Sequence, residues 1–216
     1  MKPAPNPRVQ RTRSSASPRH EPLTRHLLGA AKDLRRLLLV SLAIAGFVGA
    51  APHSSAVKAS GECAKSLPST LAQSLGQLYP SSALLTLDQL DRQARSLFVK
   101  EEGLRCPGVV RLDFFGDHRE AYGVVVVTGA GEASRSHLVL ASRIDVASQW
   151  SIQTLHTLGD PSLATVAKEK AGSHEDLYRE RKIEAKGEAL VWIGWESWAT
   201  LYAWSGEKIE KIWLSD

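Results

Sequence analysis

From Ser66 onward the chain switches between two patterns of apolar residues. In one they recur every three or four positions; in the other they alternate or run together. Leu67, Leu71, Leu75 and Leu78 lie on one side of a helical spiral, and Pro80 follows them. That spacing predicts a helix beginning near Ser66 and Pro68, where serine can cap and proline fits the first turn. Leu87, Leu90, Ala94, Leu97 and Phe98 form a second stripe, which Gly103 ends. Thr86, with Gln89 three places on, has the form of a capping box and marks the expected start of that helix. Both stripes read as core-facing.

Beyond Cys106-Pro107-Gly108 the texture becomes β-like. "VVRLDF", "AYGVVVV" and "SHLVLASR" are β-branched and apolar, with turn residues between them. "QWSIQTL" alternates and predicts a further strand. Residues 159 to 176 give mixed signals and are expected to form a loop with one short helix at most. From Tyr178 the segments "YRERKIEAK", "EALVWIGW", "TLYAW" and "KIEKIWLS" read as a meander, with turn signals at Lys186-Gly187 and Ser205-Gly206. The predicted fold is α+β: two N-terminal helices packed on one face of a mainly antiparallel β-meander of about six or seven strands.

Upstream of this region, residues 37 to 48, "LLLVSLAIAGFV", form an apolar run preceded by Arg35 and Arg36 and followed by "GAAPHSSA". Basic, apolar and small-residue parts in that order are the layout of a secretory signal peptide. A membrane-spanning helix needs about 20 apolar residues, more than this run supplies. The leader is therefore expected to span residues 1–50, with cleavage after Ala50 or as late as Ala56. A single secreted domain over 57–216 follows it. No cysteine stands near the cleavage region to carry a lipid, so no stable membrane anchor is expected after cleavage.

The leader also changes the meaning of the charge. Residues 1 to 36 hold nine basic and two acidic residues; the remainder holds eighteen basic and twenty-one acidic. The mature part is mildly acidic, which argues against a nucleic-acid partner. Both cysteines, Cys63 and Cys106, lie in it. In an oxidising compartment an even pair predicts one disulfide, and no further cysteine pair or close histidine spacing completes a metal site.

Catalytic motifs are missing. The chain contains no HExxH and no GxSxG, and "HRE" at 118–120 lacks the PCxxC partner of a zinc deaminase. "TGAGEAS" has no Lys-Ser/Thr ending of a phosphate loop. No cofactor is expected.

Residues 106 to 123, "CPGVVRLDFFGDHREAYG", resemble the strand-turn-strand of secreted FG-GAP and VCBS-repeat proteins, whose calcium loop has the form D-x-D-G-D-G-x-x-D. On that pattern Asp113 and Asp117 keep two carboxylates. Phe115 replaces the second, His118 replaces a glycine and Ala121 replaces the last carboxylate. Calcium takes six to eight oxygen ligands. Two carboxylates fall short, so the segment is expected to turn the chain without holding the ion.

Five of the six tryptophans, Trp192, Trp195, Trp198, Trp204 and Trp213, fall near the C-terminus with Tyr202 among them. Core and cross-strand packing is the expected use of these rings. The functional alternative is an aromatic binding face made by Trp192, Trp195, Trp198, Tyr202 and Trp204, facing a glycan or an extended peptide. The expected function is a non-enzymatic binding module of the cell envelope, periplasmic or secreted, whose partner is an envelope protein or glycan. The alternative is an envelope hydrolase whose catalytic residues are scattered in sequence.

Overall fold

The computed structural model describes residues 56–144, 149–159 and 164–215. The expected leader lies outside them. The helices are α1, Ser69–Leu78, and α2, Arg92–Glu102. Eleven strands follow the order β1 Ala83–Leu84, β2 Val109–Leu112, β3 Ala121–Thr128, β4 Arg135–Arg143, β5 Trp150–Leu158, β6 Ala164–Glu169, β7 Gly172–Glu175, β8 Lys182–Ala185, β9 Ala189–Gly194, β10 Trp198–Trp204 and β11 Ile209–Ser215.

These strands form three antiparallel sheets. In the first, β1 and β2 both pair with β3, and β4 and β5 continue beyond it. The second has the order β11-β10-β9-β6, and β7 pairs with β8 as a separate hairpin. The continuous run "VVVV" in β3 has a simple cause: both faces of this strand are covered. Val124 and Val126 pack with Leu71 and Leu75 of α1. Val125 and Val127 pack with Leu138, Leu190 and Trp192 in a core between the two larger sheets. A strand buried on both faces reads as an apolar run rather than an alternation. Burying Leu71 and Leu75 completely stabilises the fold by about 1.5–3 kcal/mol each.

The two larger sheets meet face to face. They come so close at Gly123 that a Cβ there would strike the Leu190 side chain. At one margin Val166 N donates to Pro107 O at 3.0 Å, tying β6 to the approach of β2. The β7–β8 hairpin covers the outer face of the second sheet, where Ile183 and Ala185 meet Val191, Leu201 and Ile212.

The expected fold class is overturned. The described residues are built mainly from antiparallel sheets, with eleven strands among them where about six or seven were expected. No single meander has a helical face: α1 lies on the outer side of the first sheet, while Ala94 and Phe98 of α2 enter the core between sheets. Local boundaries shift too. Gln89 Oε1 accepts from Thr86 N at 2.9 Å, but this arrangement closes a 3-10 turn, Leu87–Gln89. The helix starts after Asp91, whose carboxylate accepts from Gln93 N at 2.8 Å and Ala94 N at 2.9 Å. Leu78 ends α1 at 59 % exposure instead of joining its buried stripe. Within 159–176 the described residues form β6 and β7 and no helix. β6 is held by a non-local partner, β9, which leaves no local mark, and β7 by β8, the next strand of its hairpin.

Cys63 and Cys106 form a disulfide, with Cα atoms 4.8 Å apart. Both sulfurs belong to the core beneath α1. Among the described residues no helix is long and apolar enough to cross a membrane.

Candidate functional site

The segment "DFFGDH" connects β2 to β3. Asp113 Oδ1 accepts from Gly116 N at 3.0 Å and from His118 N at 3.1 Å, while His118 Nδ1 lies 3.2 Å from Asp113 Oδ2. Asp117 Oδ1 accepts from Arg119 N at 3.1 Å, and its Oδ2 accepts from Arg119 Nε at 2.6 Å. The two carboxylates thus serve backbone amides, as aspartates do in turns, and a guanidinium. Burial works against the Asp117 charge, but the Arg119 amide and guanidinium outweigh it and hold this carboxyl below the usual range. Among the described residues no group of three or more His, Cys, Asp or Glu side chains is placed to hold a metal ion.

The same segment is one half of an interlock. Glu188 N donates to Asp113 O at 2.7 Å, and Asp113 N donates to Glu188 Oε2 at 2.8 Å. Gly116, at φ 74°, lies so close to Lys186 that a Cβ would fall on its carbonyl oxygen. A Cβ on Gly187 would fall on the Asp113 carbonyl. The Lys186-Gly187 turn read from the sequence is therefore also a docking point for a turn about 70 residues away. Around it lies a charged cleft of about 410 Å³, lined in part by Arg111, Lys168, Glu120 and Glu188. Its charges pair off: Lys168 with Glu188 at 2.8 Å, and Arg111 with Glu120 at 3.2 Å.

The described histidines do not build a hydrolytic constellation. His137 lies between the Thr128 and Thr157 hydroxyls at 2.9 and 3.0 Å, and His174 Nε2 is 3.0 Å from the Lys170 carbonyl. The His118 ring meets the Asp113 carboxylate, and His156 packs edge-on against Trp192. None of these contacts brings a serine or cysteine to an imidazole.

The C-terminal aromatics divide into three groups. Trp195 belongs to the β9–β10 turn, where it donates to Thr165 Oγ1 at 3.1 Å and meets Phe98 edge-on at 6.4 Å. Trp204 packs on Phe115, with centroids 5.4 Å apart. Trp192 and Trp198 face the first sheet and contact each other at 5.3 Å, nearly perpendicular; Trp198 in turn contacts Trp213 at 6.4 Å. Cross-strand registry makes this third group: Thr200 stands opposite both Trp192 on β9 and Trp213 on β11. The Trp198 indole can cross β9 only because its partner there is Gly194, where a Cβ would meet the ring.

Between this group and β5 lies a pocket of about 110 Å³, lined by His156, Leu158, Trp192, Trp198, Thr200, Lys211 and Trp213. It lies at the margin away from the Val166–Pro107 bond, where the two sheets end in β5 and β11. Trp192 is 1 % exposed, and its Nε1–H has no hydrogen-bond partner among the described residues. An unpaired buried donor is costly and uncommon. Lys211 Nζ lies 5.1 Å from the Trp213 centroid and 5.7 Å from that of Tyr202. Burial lowers the Lys211 ammonium's pKa. Burial, with the Lys211 charge second, does the same to His156. Burial drives the Tyr202 hydroxyl up to about 12, against a smaller opposing effect of the Thr200 hydroxyl.

Of the five aromatics named from sequence, the pocket brings together only Trp192 and Trp198, with Tyr202 behind it. Trp195 and Trp204 point to other neighbours. Trp213, counted in the cluster but not in the expected face, completes the wall. His156 and Lys211 carried no sequence signal, since each is an isolated polar residue in a strand. Comparisons with protein-family models, curated proteins and solved structures return no match to this chain.

Proposed function

We propose that this chain is an exported, non-enzymatic binding module of the cell envelope that takes its ligand at the pocket between β5 and β9–β11. The observation that carries the reading is Trp192, one of three indoles that wall the pocket, whose buried Nε1–H lacks a partner among the described residues. Protein interiors rarely leave such a donor unpaired, whereas a binding site keeps one for its ligand. Apolar walls with a few converging polar groups are the usual makeup of a small-ligand site. The volume suits one small group of a larger partner, such as a side chain of an envelope protein or a substituent of a glycan. Export rests on the apolar run at 37–48 with its basic and small-residue flanks, and an oxidising compartment agrees with the Cys63–Cys106 disulfide.

The test is a titration of tryptophan emission with a panel of envelope glycan fragments and extended peptides. One or more members should change the emission saturably. Trp198→Ala should abolish that response and Trp195→Ala should preserve it. A panel without any response, or a response indifferent to Trp198→Ala, refutes the assignment.

A further inference from the structure

The polar groups of the same pocket are unbalanced in sign. Lys211 has no carboxylate within 4 Å among the described residues, while other cations do: Lys168 pairs with Glu188, Arg143 with Glu120, and Arg181 with both Asp176 and Glu210. Lys211 instead faces the Tyr202 and Trp213 rings. Its neighbour Lys208 is neutralised by Glu210, so that carboxylate is committed elsewhere. Trp192 Nε1 can only donate, and an ammonium can only donate. The remaining polar lining, Thr200 and His156, contributes no charge of opposite sign. An aromatic pocket with a cation and a free N–H, and no anion, is complementary to a ligand that brings an acceptor with negative charge.

We infer that the pocket binds a carboxylate carried on a small apolar body, with Lys211 as counter-ion, Trp192 Nε1–H as hydrogen-bond donor and the indoles of Trp198 and Trp213 as walls. The inference rests on the pocket being a binding site. The volume of about 110 Å³ admits a body of a few carbons beside the carboxylate; a dry engineered cavity of about 150 Å³ holds benzene. The cation explains why the occupant is an acid rather than an amide. A half-buried ammonium without a counter-ion pays a desolvation cost that a bound carboxylate relieves, whereas a neutral amide leaves it in place. The same chemistry is offered by a free short acid and by the C-terminus of a peptide ending in a small apolar residue.

The probes are 3-methylbutanoate and 3-methylbutanamide, and the tripeptide Ala-Ala-Val with a free or an amidated C-terminus. Binding to the purified chain is read from its six tryptophan indole N–H signals by NMR, the Trp192 signal being assigned by its loss in Trp192→Phe. The acid should bind about tenfold more tightly than the amide, as a hydrogen bond to a charged group implies. It should shift the Trp192 signal most. Lys211→Met keeps the stem and removes the charge, and should reduce the acid to the affinity of the amide. Lys211→Gln, with a melting curve for each variant, separates loss of charge from loss of fold. Binding of the tripeptide acid as well as the free acid supports the chemistry with a chain terminus as source; binding of the free acid alone supports it with a small acid as source. If acid and amide bind equally, or the preference survives in both Lys211 variants, the inference falls while the pocket stands as a binding site. If no probe moves the Trp192, Trp198 or Trp213 signals, pocket and inference fall together.

Discussion

Removing the disulfide tests how the N-terminal third of the fold is held. Cys63 stands in a 3-10 turn before α1, and Cys106 stands just ahead of β2. The bridge closes a span of 43 positions that includes α1, β1 and α2. In the native state this span is already pinned by Leu71, Leu75, Leu84, Ala94 and Phe98, all essentially buried. The bridge therefore acts chiefly on the denatured chain. Loop closure over 43 positions contributes about 4 kcal/mol in the chain-entropy treatment. For a domain of about 160 residues, 1 kcal/mol corresponds to about 2–4 °C in Tm. The double variant Cys63→Ala with Cys106→Ala should thus keep its far-ultraviolet circular dichroism and melt about 8–16 °C lower. Both cysteines are buried, so the two lost sulfurs leave a small void that adds to the loss. Alkylation of the unreduced native protein should label no thiol. A double variant that melts within about 3 °C of the parent would show that the loop is ordered even in the denatured chain and that the entropic account is wrong.

Three further outcomes follow from other parts of the molecule. Gly187→Ala, which drives a Cβ onto the Asp113 carbonyl, should cost about 1–3 kcal/mol in urea unfolding, and an unchanged midpoint would mean that the two turns do not interlock. Millimolar calcium and chelator should give the same Tm, while Asp113→Ala lowers it equally in both; a bound ion would instead stabilise the fold by about 2.7 kcal/mol at a hundredfold its dissociation constant. Burial lowers the His137 pKa from the ordinary 6.5, so the folded state prefers neutral imidazole. Its stabilising effect is complete above pH 6.5 and declines as pH falls through the folded value. His156 acts with the same sign. His137→Gln should flatten, without abolishing, the fall in stability just below pH 6.5, and an unaltered slope there would contradict the assigned protonation state.

Local features were legible along the chain because their causes are local. Leu71 and Leu75 lie on one helical stripe, Gly103 ends α2 at φ 73°, and Lys186-Gly187 turns between β8 and β9. The cysteine pair was readable for a different reason: two cysteines allow a single intrachain pairing. Where burial depends on a distant partner, the sequence pattern was silent or misleading. "VVVV" in β3 looks the same whether one face is covered or two, and only α1 on one side with the second sheet on the other decides it. "ATVAKE" has weak strand character of its own and becomes β6 because β9 offers it a ladder. The tryptophans showed that aromatic mass was concentrated near the C-terminus, but not which rings would meet. Gly194 opposite Trp198, and Thr200 between Trp192 and Trp213, assign the rings through register. His156 and Lys211, 55 positions apart, come together only when β5 and β11 end up at the same margin of two packed sheets. Period and propensity act over a few residues, while sheet pairing and face-to-face packing join residues of any separation. The chain alone therefore determined most of the elements, and the tertiary structure alone made the pocket.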